Sequence, residues 1–418
     1  MSAAREARGG VLVVGGGFAG AYVARELGSR GATIVSKENF MLYTPLLPEA
    51  ASGTLEPRHC VVPLREMCPQ ADLILGRVTG LDLEARTASV ETDEGPQTVG
   101  WRELVLALGA VPRTLPIPGL VEHALSFKSL ADAIALRNHV LHQLEAADAT
   151  LDEEERSRRL TFVFVGAGYA GVEALAELSD LTEDALRYYP RLRTAPRRWV
   201  LVDAAPRILP EIPPPLGDYA AAELRRRGVE IHVGTTLESA SADTAVLGNG
   251  TTIPTHTLVW TAGVAPNPVL RDWPLPLDER GRVEVDEFLR VRGHEHVWAL
   301  GDCTLVPNTR SERPDPPTCQ HALRQARRLA KNLAGKPEPY GYRMLGQVAT
   351  LGRHKGIAEV LGLNLHGFLG WWVTRSYHLY QLPLAQRKFR VVVDWTVSLF
   401  FRRDIAELGQ LGHPEQLG

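Results

Sequence analysis

Short apolar runs bounded by glycine indicate where buried strands lie in the first quarter of the chain. The run VLVV at 11–14 precedes a glycine-rich turn, a helical pattern over about 18–29 and a second apolar run, ATIV, at 32–35. This order predicts a β-α-β unit. The run LVLALGA at 104–110 predicts another buried strand, whereas residues 72–93 predict short antiparallel strands.

The same pattern restarts in the middle of the chain. A strand predicted over 160–165 leads into a second glycine-rich turn and a helix, followed by the run WVLVDA at 199–204. A helix over 216–227, short strands around 229–253 and the buried run TLVWTAGV at 257–264 complete the pattern. The sequence therefore predicts a second β-α-β unit with a small antiparallel part of its own.

Three further stretches complete the predicted elements. Residues 129–159 predict a helix and a charged surface loop that contains DEEERSRR. HVWALGDC at 296–303 predicts one more buried strand, and a helix is predicted over about 317–335.

Together these elements predict an α/β protein with two Rossmann-like dinucleotide-binding domains, the second inserted in the first. A C-terminal domain, rich in tryptophan, tyrosine and basic residues, is predicted to serve a membrane surface or an interface. The predicted boundaries are 1–117 and 293–343 for the two parts of the outer domain, 118–292 for the inserted domain and 344–418 for the C-terminal domain.

Length and charge agree with this organisation. A chain of 418 residues is too long for one ordinary core, and its net charge of −3 gives no reason to expect nucleic acid as a partner. The N-terminal residues lack the apolar stretch of a secretory signal. No run of about 18 apolar residues predicts a spanning helix, which leaves binding to a membrane surface open.

The four cysteines predict neither a disulfide framework nor a metal site. Cys60, Cys68, Cys303 and Cys319 form no CxxC pair and no zinc pattern. A reducing cytoplasm is the natural environment for such a chain. We therefore expect no bound metal and a mainly structural role for these thiols.

The two glycine-rich turns carry the strongest chemical signal. In Gly15-x-Gly17-x-x-Gly20 the first glycine makes the tight turn, the second admits a pyrophosphate and the third lets the helix pack on the strand. The helix N-terminus then favours the negative charge. The same spacing recurs at Gly166, Gly168 and Gly171. Two such turns, each between a buried strand and a helix, predict two dinucleotides.

The residue at the end of the second strand of each unit bears on the ribose. Asp203 ends that strand in the inserted domain, where a carboxylate accepts hydrogen bonds from ribose hydroxyls and repels a 2′-phosphate. NADH is therefore favoured over NADPH, although the nearby Arg207 weakens this inference. In the outer domain Ser36 and Lys37 occupy this position and Glu38 follows, so the ribose partner there stays open.

Several further stretches resemble those of the flavoproteins with two dinucleotide-binding domains. They are the two glycine motifs, ALGA at 107–110, WTAGVAPNP at 260–268 and VWALGDC at 297–303. The resemblance implies FAD in the outer domain and NADH in the inserted one. Asp302 matches the aspartate that contacts the ribityl and phosphate region of the flavin in that family.

The resemblance also implies two sets of cofactor residues. The predicted FAD residues are Gly15, Gly17, Phe18, Ala19, Gly20, Ser36, Lys37, Thr44, Pro45, Val78, Ala107, Gly109, Asp302 and Gln320. The predicted NADH residues are Gly166, Gly168, Tyr169, Ala170, Gly171, Glu173, Asp203, Ala262 and Gly263.

One branch of these flavoproteins fits better than the others. The segment FMLYTPLLPEAASG at 40–53 holds no cysteine, which disfavours a dithiol relay, and Cys319 has no obvious partner for sulfide chemistry. Over roughly residues 10–405 the chain looks most like the type II NADH:quinone dehydrogenases and close bacterial relatives. That resemblance implies a flavoenzyme that oxidises NADH and reduces a membrane quinone without pumping protons.

The same resemblance implies the catalytic candidates. Glu173 stands where the family has a glutamate near the nicotinamide and flavin, and Gln320 matches the first glutamine of the family's quinone helix. Arg324 stands one turn on, with Gln325 directly after it, and Cys319 replaces the usual alanine. Glu173 or Glu49 is the candidate proton relay. The departures leave the electron acceptor more open than the reductant.

The C-terminal region bears on location and partners. Residues 385–404 carry five Lys or Arg against two Asp, among bulky aromatics, a composition typical of an interfacial helix. We expect a cytoplasmic protein, peripheral on the inner face of the cell membrane; a dimer or domain-packing helix is the alternative. Two other functions stay open: a reductase of a redox protein or other small acceptor, and a slow flavin redox sensor or scaffold.

Overall fold

The computed structural model describes residues 5–311 and 313–408, and these divide into two compact units. The first unit is drawn from Met1–Tyr43, Val61–Val111 and Val264–Met344. The second is drawn from Thr44–Cys60, Pro112–Gly263 and Leu345–Gly418. The segment 44–60 thus belongs to the second unit although both of its neighbours in sequence belong to the first.

A five-stranded parallel sheet forms the centre of the first unit. In spatial order its strands are Val297–Ala299, Glu103–Leu106, Val11–Val14, Ala32–Ser36 and Ala71–Leu75. The residues of Val11–Val14 are buried on both faces, as a parallel strand between helices requires. The prediction for residues 72–93 was wrong at its start, since Ala71–Leu75 pairs parallel with Ala32–Ser36.

The first unit also contains a four-stranded sheet, further strand pairs and α-helices. A four-stranded sheet has the spatial order Arg5–Glu6, Gly95–Gly100, Thr87–Thr92 and Arg77–Asp82. Its last three strands pair antiparallel, whereas the first pairs parallel with its neighbour. Two-stranded pairs join Phe40–Leu42 with Val61–Pro63 and Val283–Glu284 with Thr304–Leu305. The α-helices are Phe18–Leu27, Leu64–Met67 and Cys319–Leu333.

A second five-stranded parallel sheet forms the centre of the second unit. Its strands in spatial order are Ala124–Ser126, Thr257–Trp260, Thr161–Val165, Arg198–Asp203 and Val229–Val233. Val163, Val200 and Leu258 form part of its buried core. An antiparallel sheet of Leu237–Ala240, Thr244–Leu247 and Thr252–Pro254 supplies the predicted small antiparallel part.

Helices account for much of the rest of the second unit. They are Leu47–Ala51, Leu120–His123, Leu130–Ala149, Glu153–Arg159, Tyr169–Ala185, Pro214–Arg226, Gly367–Gln381 and Ala385–Phe400. The last two follow an antiparallel sheet of Gly346–Thr350, Gly356–Val360 and Leu363–His366. None of the helices in the described part of the chain combines the length and the apolar character needed to cross a membrane.

The charged stretch predicted as a loop is a helix. Asp152 caps it, because its carboxylate accepts hydrogen bonds from the backbone N–H groups of Glu154 and Glu155. Acidic residues then fill the first turn and arginines the last, which complements the helix dipole. The sequence contained this order of charges, and the cap was the signal that the prediction missed.

Candidate functional site

The two glycine-rich turns have nearly the same backbone geometry. Gly15 and Gly166 adopt φ of 113° and 112°, a region that glycine alone enters without strain. A Cβ on Gly20 would lie 1.9 Å from the carbonyl oxygen of Gly15, and a Cβ on Gly171 would lie 1.9 Å from that of Gly166. Each third glycine is therefore required by the close approach of helix and turn.

The second glycine of each turn faces open space. A Cβ built on Gly17 or on Gly168 meets no atom within 4 Å, and neither residue caps its helix through a side chain. The first N–H groups of Phe18–Leu27 and Tyr169–Ala185 are thus left for an external acceptor. An open backbone concavity at a helix N-terminus fits a pyrophosphate, so both turns fit a dinucleotide.

Residues from three other segments gather at the first turn. A Cβ on Gly15 would lie 2.2 Å from the carbonyl oxygen of Ala107, which places the ALGA stretch against the turn. Gly301, directly before Asp302, has φ of 78° and packs against Ala19. Gly109 faces open space. The structure thus brings Ala107 and Asp302 to the turn, as an FAD site requires.

Three other predicted FAD residues belong to other elements of the chain. Thr44 and Pro45 belong to the second unit, in the short helix Thr44–Leu46. Val78 is buried in the four-stranded sheet, opposite Val90. For these three residues, contact with FAD stays a prediction.

The strand ends differ between the two units. Ser36 is partly exposed, its hydroxyl accepts a hydrogen bond from the Glu38 backbone N–H at 3.3 Å, and Lys37 is exposed beside it. Asp203 instead accepts hydrogen bonds from the backbone N–H groups of Ala167, inside the second glycine turn, and of Ala205. Asp203 thereby fixes the conformation of that turn.

The remaining predicted NADH residues surround the second turn. A Cβ on Gly166 would lie 2.6 Å from the backbone nitrogen of Ala262, and Gly263 faces open space with φ of 95°. The Tyr169 hydroxyl donates a hydrogen bond to Gln347 at 3.1 Å, while Ala170 is exposed. These residues form one continuous group around the turn.

Glu173 is a buried carboxyl group one turn into the second phosphate-binding helix. Its Oε1 accepts hydrogen bonds from the backbone N–H of Thr350 at 2.8 Å and from the Thr350 hydroxyl at 3.2 Å. Burial nevertheless raises its pKa to about 8, and the nearby Glu177 and Glu49 add to the rise. Glu173 therefore retains its proton at neutral pH.

Glu49 lies in the same unit and is also buried. Its carboxylate accepts hydrogen bonds from the Arg375 guanidinium at 3.1 Å and from the Trp395 indole N–H. Burial raises its pKa, and the positive charge of Arg375 opposes that rise. Two of the four catalytic candidates, Glu49 and Glu173, thus interact electrostatically.

The other two candidates lie on the helix Cys319–Leu333 of the first unit. The Tyr342 hydroxyl donates a hydrogen bond to the Gln320 side-chain oxygen at 3.3 Å, and the Arg324 guanidinium lies over the Tyr342 ring at 5.0 Å. One buried guanidinium nitrogen of Arg324 has no hydrogen-bond partner among the described residues. This donor fits an acceptor atom of a bound molecule.

Two neighbours of these candidates have different roles. Gln325 is buried, donates to Asp315 at 2.8 Å and accepts from the backbone N–H of Gly301 at 2.8 Å. It is therefore committed to holding the turn before Asp302. Burial raises the pKa of the Cys319 thiol to about 12, so this thiol is protonated at neutral pH.

Comparison with protein families agrees with this geometry. The family model described as pyridine nucleotide-disulphide oxidoreductase matches residues 9–326. The chain belongs to this family. The matched span contains both glycine turns, and the prediction of family and α/β fold class is confirmed. The family's name refers to disulphide chemistry, yet all four cysteines of this member are free thiols.

Individual relatives narrow the branch of the family. A probable NADH dehydrogenase of Dictyostelium discoideum is 31% identical over 388 residues, covering 90% of this chain and 85% of that protein. A type II NADH:quinone oxidoreductase of Mycobacterium tuberculosis is 30% identical, covering 94% of this chain and 88% of its own length. The chain therefore belongs to the type II NADH dehydrogenase branch, as the sequence motifs indicated.

A solved structure gives the same fold. NDH2 of Plasmodium falciparum in complex with NADH has a TM-score of 0.89 at 18% identity, covering 96% of this chain and 99% of the other. At this identity the likeness concerns the fold alone. It confirms the predicted arrangement of Rossmann-type folds in an α/β flavoprotein.

The structure of this family member adds residues that the sequence did not single out. Glu177 lies one helical turn after Glu173 and is almost fully buried, where the Arg403 guanidinium at 2.8 Å and the Ser52 hydroxyl at 2.9 Å donate to it. The four-residue spacing from Glu173 was a usable signal for Glu177. Nothing in the local sequence connected Arg403 or Arg375 with these carboxylates.

Proposed function

We propose that the protein oxidises NADH by hydride transfer to bound FAD and reduces a quinone, so it is an FAD-dependent NADH:quinone oxidoreductase. The observation that carries this conclusion is the pair of matching glycine cradles, one in each unit of a single chain. One cradle suits a flavin dinucleotide and the other its nicotinamide reductant. Relatives of the same branch are named for NADH and quinone.

The outer cradle is our proposed FAD site. Gly17 and the N-terminus of Phe18–Leu27 hold the pyrophosphate, and Asp302 accepts hydrogen bonds in the ribityl region. Bound FAD supplies two-electron chemistry with a nicotinamide and transfer to a quinone. Gln325 keeps the backbone of Gly301 in place, so that the position of Asp302 is fixed before the cofactor arrives.

The second cradle is our proposed NADH site. Gly168 admits the pyrophosphate, and the Asp203 carboxylate accepts from the ribose hydroxyls while retaining its bonds to the turn. A negative charge at this position disfavours a 2′-phosphate. This supports the preference for NADH over NADPH.

Glu173 is proposed to exchange a proton during turnover. Its pKa of about 8 lies close to neutral pH, the condition under which a carboxyl group both gives and regains a proton readily. Glu49 is the proposed companion group, because it raises the pKa of Glu173, and Glu177 raises the pKa of both.

Gln320 and Arg324 are proposed to contact the electron acceptor. The amide of Gln320 has donors for a quinone carbonyl, and the unpartnered nitrogen of Arg324 is suited to stabilise negative charge that develops on the acceptor oxygen. The positive charge in place of a second glutamine is a departure from the family pattern.

The test is anaerobic mixing with NADH, followed by a panel of acceptors. We expect bleaching of the oxidised flavin band by NADH and its rapid return on adding a ubiquinone or menaquinone analogue. Turnover with a redox protein alone would point to the reductase alternative. Slow return with every acceptor would point to a redox sensor, and absence of bleaching would contradict the assignment of NADH as reductant.

We also propose that the C-terminal helices dock on the inner face of the cell membrane. Large apolar side chains are exposed along them: Phe368, Leu369, Trp372, Tyr380, Phe389, Val392, Val393, Val397, Leu399 and Phe400. Exposed aromatics beside arginine and lysine suit the headgroup region of an anionic bilayer. A homodimer that buries the same face is the alternative.

Co-sedimentation with liposomes distinguishes these two possibilities. Phe389→Asp and Phe400→Asp should leave the protein in the supernatant, whereas wild type and a Val121→Asp control should pellet with vesicles. Val121 is equally exposed but lies on Leu120–His123, remote in sequence from these helices. Equal pelleting of all variants, together with a change in oligomeric state on Phe400→Asp, would favour the dimer.

A further inference from the structure

A cavity of about 810 Å³ lies within the second unit, apart from its glycine turn. The loop after Leu47–Ala51, the helix Leu130–Ala149, the two C-terminal helices and the final segment 401–408 surround it. Its volume is in the range of sites for ligands of drug size. None of the residues assigned above to NADH lines it.

The lining of this cavity is rich in arginine. Six arginines face it against three carboxylates: Arg58, Arg137, Arg353, Arg375, Arg402 and Arg403, with Glu56, Asp394 and Asp404. Arg403 is neutralised by Glu177 and Asp184, and the Nε of Arg375 by Glu49. Asp394 is in turn engaged by His59 and by the backbone of Glu56. Among the residues that line the cavity, arginines therefore outnumber carboxylates by three, while the acidic partners of Arg375 and Arg403 lie behind the lining.

Two of these arginines are only loosely held. The Arg58 side chain is 81% exposed beside Glu56, and that of Arg402 is 52% exposed with Asp184 at 3.9 Å. A third, Arg375, is placed firmly, because its guanidinium lies between the rings of Trp371 at 4.4 Å and Trp395 at 4.7 Å. The cavity thus combines one guanidinium held between two rings with two that are largely exposed.

His354 also lines the cavity, close to several of its arginines. Burial lowers its pKa, and the charges of Arg353, Arg375 and Arg403 lower it further. The guanidinium groups around this imidazole favour an anionic guest.

Apolar side chains continue from the cavity to the surface. Val397, Phe401 and Leu408 all line it and are also 49%, 68% and 52% exposed. The final segment is held in place where the Arg137 guanidinium donates to the backbone carbonyls of Asp404 and Ala406. A guest with a charged head and an apolar tail fits this arrangement better than an inorganic anion.

We propose that this cavity binds the phosphate headgroup of an anionic phospholipid, whose acyl chain leaves along Val397 and Phe401. The proposal rests on the membrane docking proposed above, and it adds a site that selects one class of lipid. Arg375 supplies the fixed contact with the phosphate, and Arg58 and Arg402 close on it.

Calorimetric titration with a short-chain lipid tests this without a membrane and without NADH. Dihexanoyl-phosphatidylglycerol, below its micelle concentration, should bind saturably and change the fluorescence of the tryptophans beside Arg375. Dihexanoyl-phosphatidylcholine and inorganic phosphate should bind at least tenfold more weakly. Equal affinity for the two lipids, or for phosphate alone, would overturn the proposal. Displacement of the lipid by a soluble quinone would identify an acceptor passage instead and would overturn it too.

Two variants locate the site. The double substitution Arg58→Gln with Arg402→Gln should weaken phosphatidylglycerol binding by about 25-fold, roughly fivefold for each arginine. Arg390→Gln is the control, since Arg390 is exposed on the helix Ala385–Phe400, which ends two residues before Arg402, and does not line the cavity. Phe401→Ala tests the acyl path independently and should also weaken binding. An equal loss in the Arg390→Gln control would show general charge attraction and contradict a specific site.

NADH oxidation by the double variant separates this proposal from the proposed activity. Turnover with a water-soluble quinone should be unchanged, because neither arginine belongs to the cofactor groups. If the wild type neither reduces its flavin nor binds the lipid, both proposals fail. If it turns over normally and shows no lipid binding, this one alone is contradicted.

Discussion

The two phosphate-binding turns are nearly superimposable in their backbone requirements, yet the strand ends beside them differ. Gly15 and Gly166 have φ values one degree apart, and Gly20 and Gly171 approach their turns at the same distance. Ser36 ends one strand and Asp203 the other. The shared turn geometry suits the pyrophosphate that FAD and NADH have in common. We assign to the differing strand ends the recognition of the parts in which the two dinucleotides differ.

The surroundings of the two turns diverge further. The helix after the first turn is ten residues long, and its single acidic residue, Glu26, lies near its end. The helix after the second turn is 17 residues long and carries the buried Glu173 and Glu177 on one face. Titratable chemistry is thus concentrated in the unit that we assign to the reductant.

Alanine at the third glycine of each turn should give the largest and most unequal effects. Gly20→Ala forces its Cβ onto the Gly15 carbonyl and should yield protein without yellow colour. Gly171→Ala should keep the flavin and lose reduction by NADH. Each should also lower the free energy of unfolding by about 3 kcal/mol, since backbone atoms must move apart. Absorbance at the flavin band and stopped-flow reduction measure both outcomes.

Gly217→Ala is the control for these substitutions. Gly217 lies within Pro214–Arg226, and a Cβ there makes only ordinary contacts from 3.5 Å. It should leave colour and activity intact and raise stability slightly through helix propensity. If Gly171→Ala also yields protein without bound flavin, the assignment of FAD to the first turn and NADH to the second is wrong.

Glu173→Gln should remove a pH dependence of stability. With a pKa raised from 4.5 to about 8, the folded protein holds one proton more than the unfolded chain between these values. The free energy of unfolding of the wild type should therefore fall as pH rises from 5 to 8, by at most about 4 kcal/mol, and level off above. Denaturant titrations at several pH values should show that the free energy of unfolding of the variant changes less with pH.

Glu183→Gln is the matched control for that measurement. Glu183 lies on the same helix with a side chain 59% exposed, where it pairs with Arg197. The free energy of unfolding of this control should change with pH as it does in the wild type. A Glu173→Gln protein with an unchanged pH dependence would mean that Glu173 titrates normally in the folded state.

Asp203→Asn should narrow the preference for NADH. The amide oxygen keeps one hydrogen bond to the turn, but the charge that repels a 2′-phosphate is gone. We expect kcat/KM for NADH to fall about tenfold, the loss of a charge-assisted hydrogen bond, with little change for NADPH. Glu38→Gln, at the equivalent end of the other unit, should leave the nicotinamide preference as it is. Equal effects of the two substitutions would contradict the assignment of Asp203.

The smallest effect is expected on the acceptor side. Gln320→Ala removes an amide donor and should raise the KM for quinone roughly three- to tenfold. The rate of anaerobic flavin reduction by NADH should not change. Gln97→Ala, on the four-stranded sheet, serves as the control. A slower reduction by NADH would place Gln320 on the reductant side of the flavin.

The sequence was sufficient for both Rossmann units because their signals are local. Apolar strands, glycine spacing and helix starts all lie within about 30 residues of one another, as for Gly166, Gly168 and Asp203. The pairing of strands that lie far apart in sequence could not be predicted from such local signals. Ala71–Leu75 has the composition of a surface strand, and only its pairing with Ala32–Ser36 places it in the parallel sheet.

The carboxylate cluster shows the same limit at the site. Glu49 and Glu173 were candidates from the motifs, but their raised pKa values follow from burial that no local pattern reveals. Arg375 and Arg403 lie more than 200 residues away in sequence and reach the cluster only through the fold. Charged residues of the tail, taken from composition as membrane contacts, are in part buried partners of these acids.

The order of strands in the first unit has a consequence for synthesis on the ribosome. Four strands of its parallel sheet are made within the first 106 residues, but Val297–Ala299, which pairs with Glu103–Leu106, emerges almost 200 residues later. Until then the nascent chain presents an unprotected apolar edge, which invites pairing with other chains. We therefore expect the nascent polypeptide to depend on chaperones through most of its elongation. A chain that is released before residue 297 has been added should aggregate.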